Sequence, residues 1–140
     1  MAKPRTFLFV CQSNGARSQM AEGFARHLAG GTVNVFSAGV KSNGLNPLAI
    51  EVMEEVGIDI SGQGSKDFKD LPSGKIDTVI TLCANADDLP DKLQRKKKIN
   101  QIHWPLNDPA TVSGSEAEVK KAYRAVRDEI RNRVQVLLVG

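Results

Sequence analysis

The chain has 140 residues, 41% hydrophobic and 25% charged, with 19 basic against 16 acidic side chains and a net charge of +3. That length reads as one domain spanning residues 1–140, able to bury about 68–70% of its unfolded surface without a disulfide, and the composition is that of an ordinary soluble globular protein. No apolar run approaches the roughly 20 residues of a membrane span or the pattern of a secretory signal, and a single Trp and a single Tyr without aromatic interleaving argue against nucleic-acid binding.

These features place the chain in the cytoplasm as an expectation, and there its two cysteines read as thiols or redox groups rather than a structural staple. The slight positive charge suits an anionic substrate without requiring one. The densest basic run, QRKKK at Gln94–Lys98, reads as a solvated loop.

Thr6–Val10, TFLFV, is short and almost wholly apolar, as a strand buried on both faces of a sheet should be. Ser18–Leu28 then carries Met20, Ala21, Phe24, Ala25 and Leu28 at helical spacing and stops at Gly30 and Gly31. Thr32–Phe36 is the second expected strand. Pro47–Val56 sets Leu48, Val52, Met53 and Val56 on one helical stripe, opened by Asn46 as cap and Pro47 at the first position and closed by Gly57. A polar connection with a short helix near Asp67–Leu71 leads to a third buried strand at Asp77–Leu82 and a weaker fourth at Ile99–Trp104. Glu116–Leu138 is a long helix whose stripe of Val119, Ala122, Tyr123, Val126, Ile130, Val134 and Leu137 belongs to the core.

Strands separated by helices predict an α/β fold, a three-layer sandwich around a four-stranded parallel sheet, with no repeat or linker. In such sheets ligands bind beyond the carboxyl ends of the strands. Cys11 ends the first strand, Cys83 ends the third and Asp108 follows the fourth.

Between the first strand and its helix runs QSNGAR. Small residues there let the backbone N–H groups of Gln12, Ser13, Asn14, Gly15, Ala16 and Arg17 turn inward, and the helix N-terminus extends that concavity into a site for a tetrahedral oxyanion. Arg17 closes the ring with a planar fork suited to two oxygens. The same field favours the thiolate of Cys11, to which Ser18 can add a hydroxyl hydrogen bond. The plainer alternative is a buried strand-end cysteine beside a helix-capping turn, since six-residue spacing of Cys and Arg arises often by chance. By themselves, Asp108-Pro109 reads more readily as a turn than as an acid, and Cys83 equally as a small buried apolar residue.

The stretch CQSNGARSQMAEG, with FSAG at Phe36–Gly39, NPLAIEVMEEVGIDISGQ, DTVITLC and HWPLNDPA at His103–Ala110, resembles arsenate reductases built on the low-molecular-weight protein tyrosine phosphatase fold. The resemblance covers nearly the whole chain. It implies that Cys11 is the nucleophile, Gln12–Arg17 the oxyanion cradle, Arg17 its clamp and Ser18 the stabiliser of the thiolate. Asn14 would hold the cradle's conformation, and Asp108 would act as general acid and base. It also implies a redox partner in Cys83: Cys11 attacks arsenate, Cys83 attacks the Cys11 sulfur, arsenite leaves and a Cys11–Cys83 disulfide remains. No bound cofactor or metal is implied. Phosphate or sulfate should compete with arsenate, and thioredoxin, glutaredoxin or a glutathione-type thiol should return the electrons.

The chain departs from that pattern in two places, and from the tyrosine phosphatases of the same fold in a third. Thioredoxin-coupled members pass the disulfide to a third cysteine soon after the second, whereas ANADDLPDK follows Cys83 here, no later cysteine exists, and Ala16 stands where many relatives carry another loop cysteine. An external thiol must therefore act on the Cys11–Cys83 bond or on the arseno-cysteine itself. Some relatives hold potassium through groups matching Asn14, Glu22 and Ser37; here Gly64 and Lys66 fall at the remaining positions, and Lys66 near Glu22 is expected to replace the cation. Finally, tyrosine phosphatases of this fold set aromatic residues after the Asp-Pro pair, but Ala110, Thr111 and Val112 follow here and favour a small, bare oxyanion. A phosphatase working through phospho-Cys11 is the alternative, and a non-enzymatic anion-binding domain is countered by the complete set Cys11, Arg17, Ser18 and Asp108.

Overall fold

The strand read from TFLFV is the centre of the molecule. In the computed structural model, which describes residues 5–11, 15–39, 44–64, 76–82 and 100–139, β1 (Thr6–Cys11) lies between β2 (Asn34–Gly39) and β3 (Thr78–Thr81), and β4 (Asn100–His103) follows β3 at the edge. All three pairings are parallel, so the sheet runs β2-β1-β3-β4. Parallel strands covered on both faces need apolar side chains on both, which is why β1 shows no polar alternation and is buried from Phe7 to Cys11. Phe7 and Phe9 enter the larger core cluster, while Leu8 and Val10 point the other way into a second cluster with Ala38 and Val79.

The expected strand boundaries shift in an instructive way. Thr32 belongs to the turn that ends the preceding helix, its N–H and hydroxyl both donating to the Ala29 carbonyl at 3.1 and 2.8 Å. β2 therefore starts two residues later than expected and runs on through Ser37, Ala38 and Gly39, because β1 itself extends to Cys11 and pairs it with Gly39. β3 is shorter than Asp77–Leu82, although both flanking residues stay bonded to β1: Asp77 N–H donates to the Thr6 carbonyl at 3.0 Å and Leu82 N–H to the Val10 carbonyl at 2.8 Å.

Helix α1 (Arg17–Ala29) starts one residue earlier than expected and ends at Gly30, whose φ of 58° is the left-handed conformation that glycine adopts without a Cβ clash. Its first nine residues are buried, but Leu28, expected in the core, is 40% exposed because the last turn projects past the layer beneath it. Helix α2 (Pro47–Glu54) begins as read, with the Asn46 side chain accepting from Leu48 N–H at 2.8 Å. The long C-terminal helix, α3 (Glu116–Val139), buries Tyr123, Ile130 and Val134 of the expected stripe. The three helices share one core cluster with Phe7, Phe9, Ile80 and Leu82. The expected helix near Asp67–Leu71 and the Gln94–Lys98 run lie outside the described residues. Among the described residues no helix is long and apolar enough to cross a membrane.

Two features set how α1, α2 and α3 fit together. Gly23 marks a close approach of α1: a Cβ there would stand 2.6 Å from Ile60 Cγ2 and 3.2 Å from Met53 Cε. On α3, Arg127 is buried within the apolar stripe and donates to the Val52 carbonyl at 2.9 Å and to Glu55 at 2.8 Å. Arg124 adds a bidentate pair to the same Glu55 carboxylate, at 2.9 and 2.7 Å. The Arg124 hydrogen bond, reinforced by Arg127 and opposed by partial burial, lowers the Glu55 carboxyl from 4.5 to about 2.

Two predictions follow from this packing. Gly23→Ala is expected to destabilise the fold by about 1–3 kcal/mol, because the branched Ile60 cannot yield without leaving its rotamer; paired with Ile60→Ala in a denaturant titration, the two losses should be less than additive. Because the carboxyl of Glu55 is lowered on folding, its ion pairs stabilise the protein fully above pH 4.5 and lose that contribution as pH falls toward about 2. The stability gap between wild type and Glu55→Gln, followed by urea unfolding, should accordingly be constant above that range and close within it.

Candidate active site

The carboxyl ends of β1 and β3, the start of α1 and the chain after β4 meet at one end of the sheet. Cys11, the last residue of β1, is only 2% exposed, and its Sγ lies 2.9 Å from Ser18 Oγ in the first turn of α1. Strand and helix face each other there because the intervening turn is only five residues long. The residue capping α1 is Ala16, which has no side-chain oxygen to satisfy the first-turn N–H groups; the opening of this helix is thus built unlike that of α2, where Asn46 fills that role.

Arg17 is the first residue of α1 and is 6% exposed. A buried guanidinium needs several acceptors, and three residues on two chain segments, after β3 and after β4, provide them. Its Nη1 donates to the Leu82 carbonyl at 3.0 Å and to the Leu106 carbonyl at 2.9 Å, and its Nη2 stands 3.6 Å from Asp108 Oδ2. Asp108 is held in turn: its Oδ1 accepts from Ala110 N–H at 2.9 Å and caps the short 3-10 helix Pro109–Thr111, while its side chain remains 39% exposed toward the opening.

These groups border a cavity of about 260 Å³ lined by Cys11, Gly15, Ala16, Arg17, Asp108 and Ala110 on one side and by the Gly44–Pro47 segment on the other. A hollow of about 400 Å³ between β4 and the end of α3 is larger, but Ile102, Trp104, Val136 and Leu137 make it apolar, and it contains neither a nucleophile nor an acid. The candidate nucleophile and acid expected from the sequence both border the smaller one.

Of the residues expected at the site, Cys11, Gly15, Ala16, Arg17, Ser18 and Asp108 come together here. Gln12, Ser13, Asn14 and Cys83 lie outside the described residues, as does Lys66. Glu22, a turn further along α1, is buried; its carboxylate accepts from Ser37 Oγ at 2.6 Å and pairs with Arg26 at 3.1 Å, so a cation of the chain already stands beside it. Sequence reasoning missed the Gly44–Pro47 wall, reading Asn46-Pro47 only as a helix start. It also missed the Leu82 and Leu106 carbonyls, since backbone acceptors leave no signature in residue types.

Residues 6–139 match the low molecular weight phosphotyrosine protein phosphatase family. Over 131 residues the chain is 42% identical to the arsenate reductase of Bacillus subtilis, covering 91% of this chain and 90% of that one. Among solved structures it resembles an arsenate reductase in the phosphate binding state, with a TM-score of 0.81 at 40% identity over 96% of this chain and 97% of the other. It also resembles a thioredoxin-dependent arsenate reductase of Corynebacterium glutamicum, with a TM-score of 0.66 at 27% identity over 97% of this chain and 65% of that one. The chain belongs to the low molecular weight phosphotyrosine protein phosphatase family, and the relatives it matches at about 40% identity over nearly their whole length are arsenate reductases.

The Arg17 geometry carries its own prediction. Lysine keeps the charge but cannot present a planar fork to two carbonyls and a carboxylate at once. Arg17→Lys is expected to lower folding stability by about 1–3 kcal/mol and to weaken phosphate binding at least tenfold, read by chemical denaturation and by calorimetric titration.

Proposed function

We propose that this chain is an arsenate reductase that works through a covalent Cys11 adduct. The observation that carries this reading is the Cys11 sulfur, hydrogen-bonded to Ser18 and set with the Arg17 guanidinium in a small cavity that has no aromatic ring among its described lining residues. Such a cavity suits a tetrahedral oxyanion better than an aryl phosphate, whose ring would need apolar walls.

In the first step the Ser18 hydroxyl donates to the Cys11 thiolate, and the N–H groups of Gln12–Arg17 with the Arg17 fork hold arsenate above it. The sulfur attacks arsenic, an S–As bond forms, and one arsenic oxygen departs as water after Asp108 donates a proton. In the second step the Cys83 thiolate attacks Cys11 Sγ, the S–S bond forms and the S–As bond breaks. Its electron pair goes to arsenic, which falls from the pentavalent to the trivalent state and leaves as arsenite. Two thiols have become one disulfide, so the electrons balance. An external thiol, from thioredoxin, glutaredoxin or a glutathione-type molecule, reduces the Cys11–Cys83 bond and completes the cycle. Phosphate and sulfate compete for the cradle, and small aryl phosphates are hydrolysed weakly by the same nucleophile.

The test is a single-turnover assay without added thiol, comparing wild type with Cys83→Ser and mapping disulfides by mass spectrometry. One arsenite per wild-type chain, a Cys11–Cys83 bond and no release from the variant are expected. No arsenite from either, with aryl phosphate hydrolysis undiminished in Cys83→Ser and no rescue by glutathione, would make the chain a phosphatase instead.

A further inference from the structure

We infer that Tyr123, on α3, is a positioning residue for the oxyanion cradle, acting through Asn46. The inference rests on the reading of Cys11–Arg17 as an oxyanion site and adds a residue that touches neither the substrate nor the reacting sulfur.

Besides its carbonyl's helical bond from Ile50 N–H at 3.2 Å, Asn46 makes three hydrogen bonds in three directions. Its Oδ1 accepts from Leu48 N–H at 2.8 Å and caps α2. Its Nδ2 donates to the Tyr123 hydroxyl at 2.9 Å. Its backbone N–H donates to the Gly15 carbonyl, also at 2.8 Å. Two helices thus fix one asparagine, and that asparagine fixes one peptide of the cradle.

The choice of peptide matters. A trans peptide is planar, with its C=O and N–H pointing in opposite directions. Holding the Gly15 carbonyl on Asn46 therefore fixes the direction of the Ala16 N–H, one of the donors of the proposed cradle. Gly15 has little conformational restraint of its own, since glycine adopts backbone angles that other residues cannot. The restraint comes from outside the loop.

Tyr123 suits this role because it is only 2% exposed and sits on the longest helix of the structure. Burial pushes its hydroxyl up from the ordinary tyrosine range; the Asn46 hydrogen bond works against that, and the negative charge of Asp108 adds to it. The phenol therefore stays neutral through the working range and acts as a fixed acceptor rather than as an acid or base.

The experiment measures inorganic phosphate protecting Cys11 from iodoacetamide, with alkylation of the Cys11 peptide followed by mass spectrometry, so no turnover is required. Tyr123→Phe removes only the acceptor. Asn46→Ser keeps a good helix cap and the backbone donor to Gly15 but is too short to reach Tyr123. Each variant is expected to need about fivefold to tenfold more phosphate for half protection, the loss of one hydrogen bond, and the double variant no more than either alone. In steady-state reduction the same change should raise KM for arsenate while kcat moves less than about threefold, since the reacting groups are untouched. Unchanged half-protection in both variants, with wild type protected, overturns the role of Tyr123 alone. Wild-type Cys11 that phosphate does not protect overturns the oxyanion reading of the site, and this inference with it.

Discussion

The buried Arg17 guanidinium is the interaction on which the rest of the site depends. A parallel sheet aligns strand ends but does nothing to join the loops that leave them. Arg17 joins them here, reaching from the start of α1 to the Leu82 carbonyl at the end of β3 and the Leu106 carbonyl after β4. A buried cation without partners would cost several kcal/mol, so these acceptors are obligatory. Once they are met, the chain segments that carry Cys11, Leu82 and Asp108 cannot drift apart without stranding the charge.

That constraint links fold to chemistry. The tie to Leu82 fixes the residue immediately before Cys83, and the approach to Asp108 fixes that carboxylate on the other side of the opening. One side chain therefore ties together the segments after β3 and β4 at the mouth of the cavity and, in the proposed reaction, would also meet the oxyanion's charge. The price of that arrangement is a guanidinium whose geometry cannot be altered without moving several segments, so the Arg17 side of the site is stiff. Stiffness of this kind is what electrostatic catalysis requires, since donors that are already oriented spend nothing on reorganisation as charge develops.

Much of this was legible in the residues. Unbroken apolarity predicted a two-sided strand at TFLFV, Asn46-Pro47 and Gly30 marked helix ends, and the short passage from Cys11 to Arg17 predicted the meeting of thiol, hydroxyl and guanidinium that the structure displays. What stayed hidden depended on tertiary partners. Thr32 reads as a strand residue by propensity, yet its hydroxyl closes the turn after α1. Arg127 interrupts an apolar stripe because Val52 and Glu55 wait for it across the interface with α2. Tyr123 reads as core by spacing, and only its distance to Asn46 shows that its hydroxyl has a partner beside the site.

The family model is that of phosphotyrosine protein phosphatases and the relatives at about 40% identity are arsenate reductases, so membership of the family does not by itself decide the outcome. What differs is the group that meets the covalent adduct. Water attacking the central atom returns the thiol unchanged and transfers no electrons, whereas a second thiol attacking the sulfur leaves the electron pair on the central atom. Arsenic accepts that pair readily and phosphorus does not, so a chain equipped with a second thiol loses nothing against phosphate and gains a redox reaction with arsenate. The walls of the cavity agree with this division. Asp108 and Arg17 supply charge, Ala110 and Gly44 supply room, and none of the described lining residues offers a ring to hold a tyrosyl group. In the proposed mechanism substrate selection is consequently a matter of what the cavity omits, and reaction selection a matter of whether a second thiol meets the adduct.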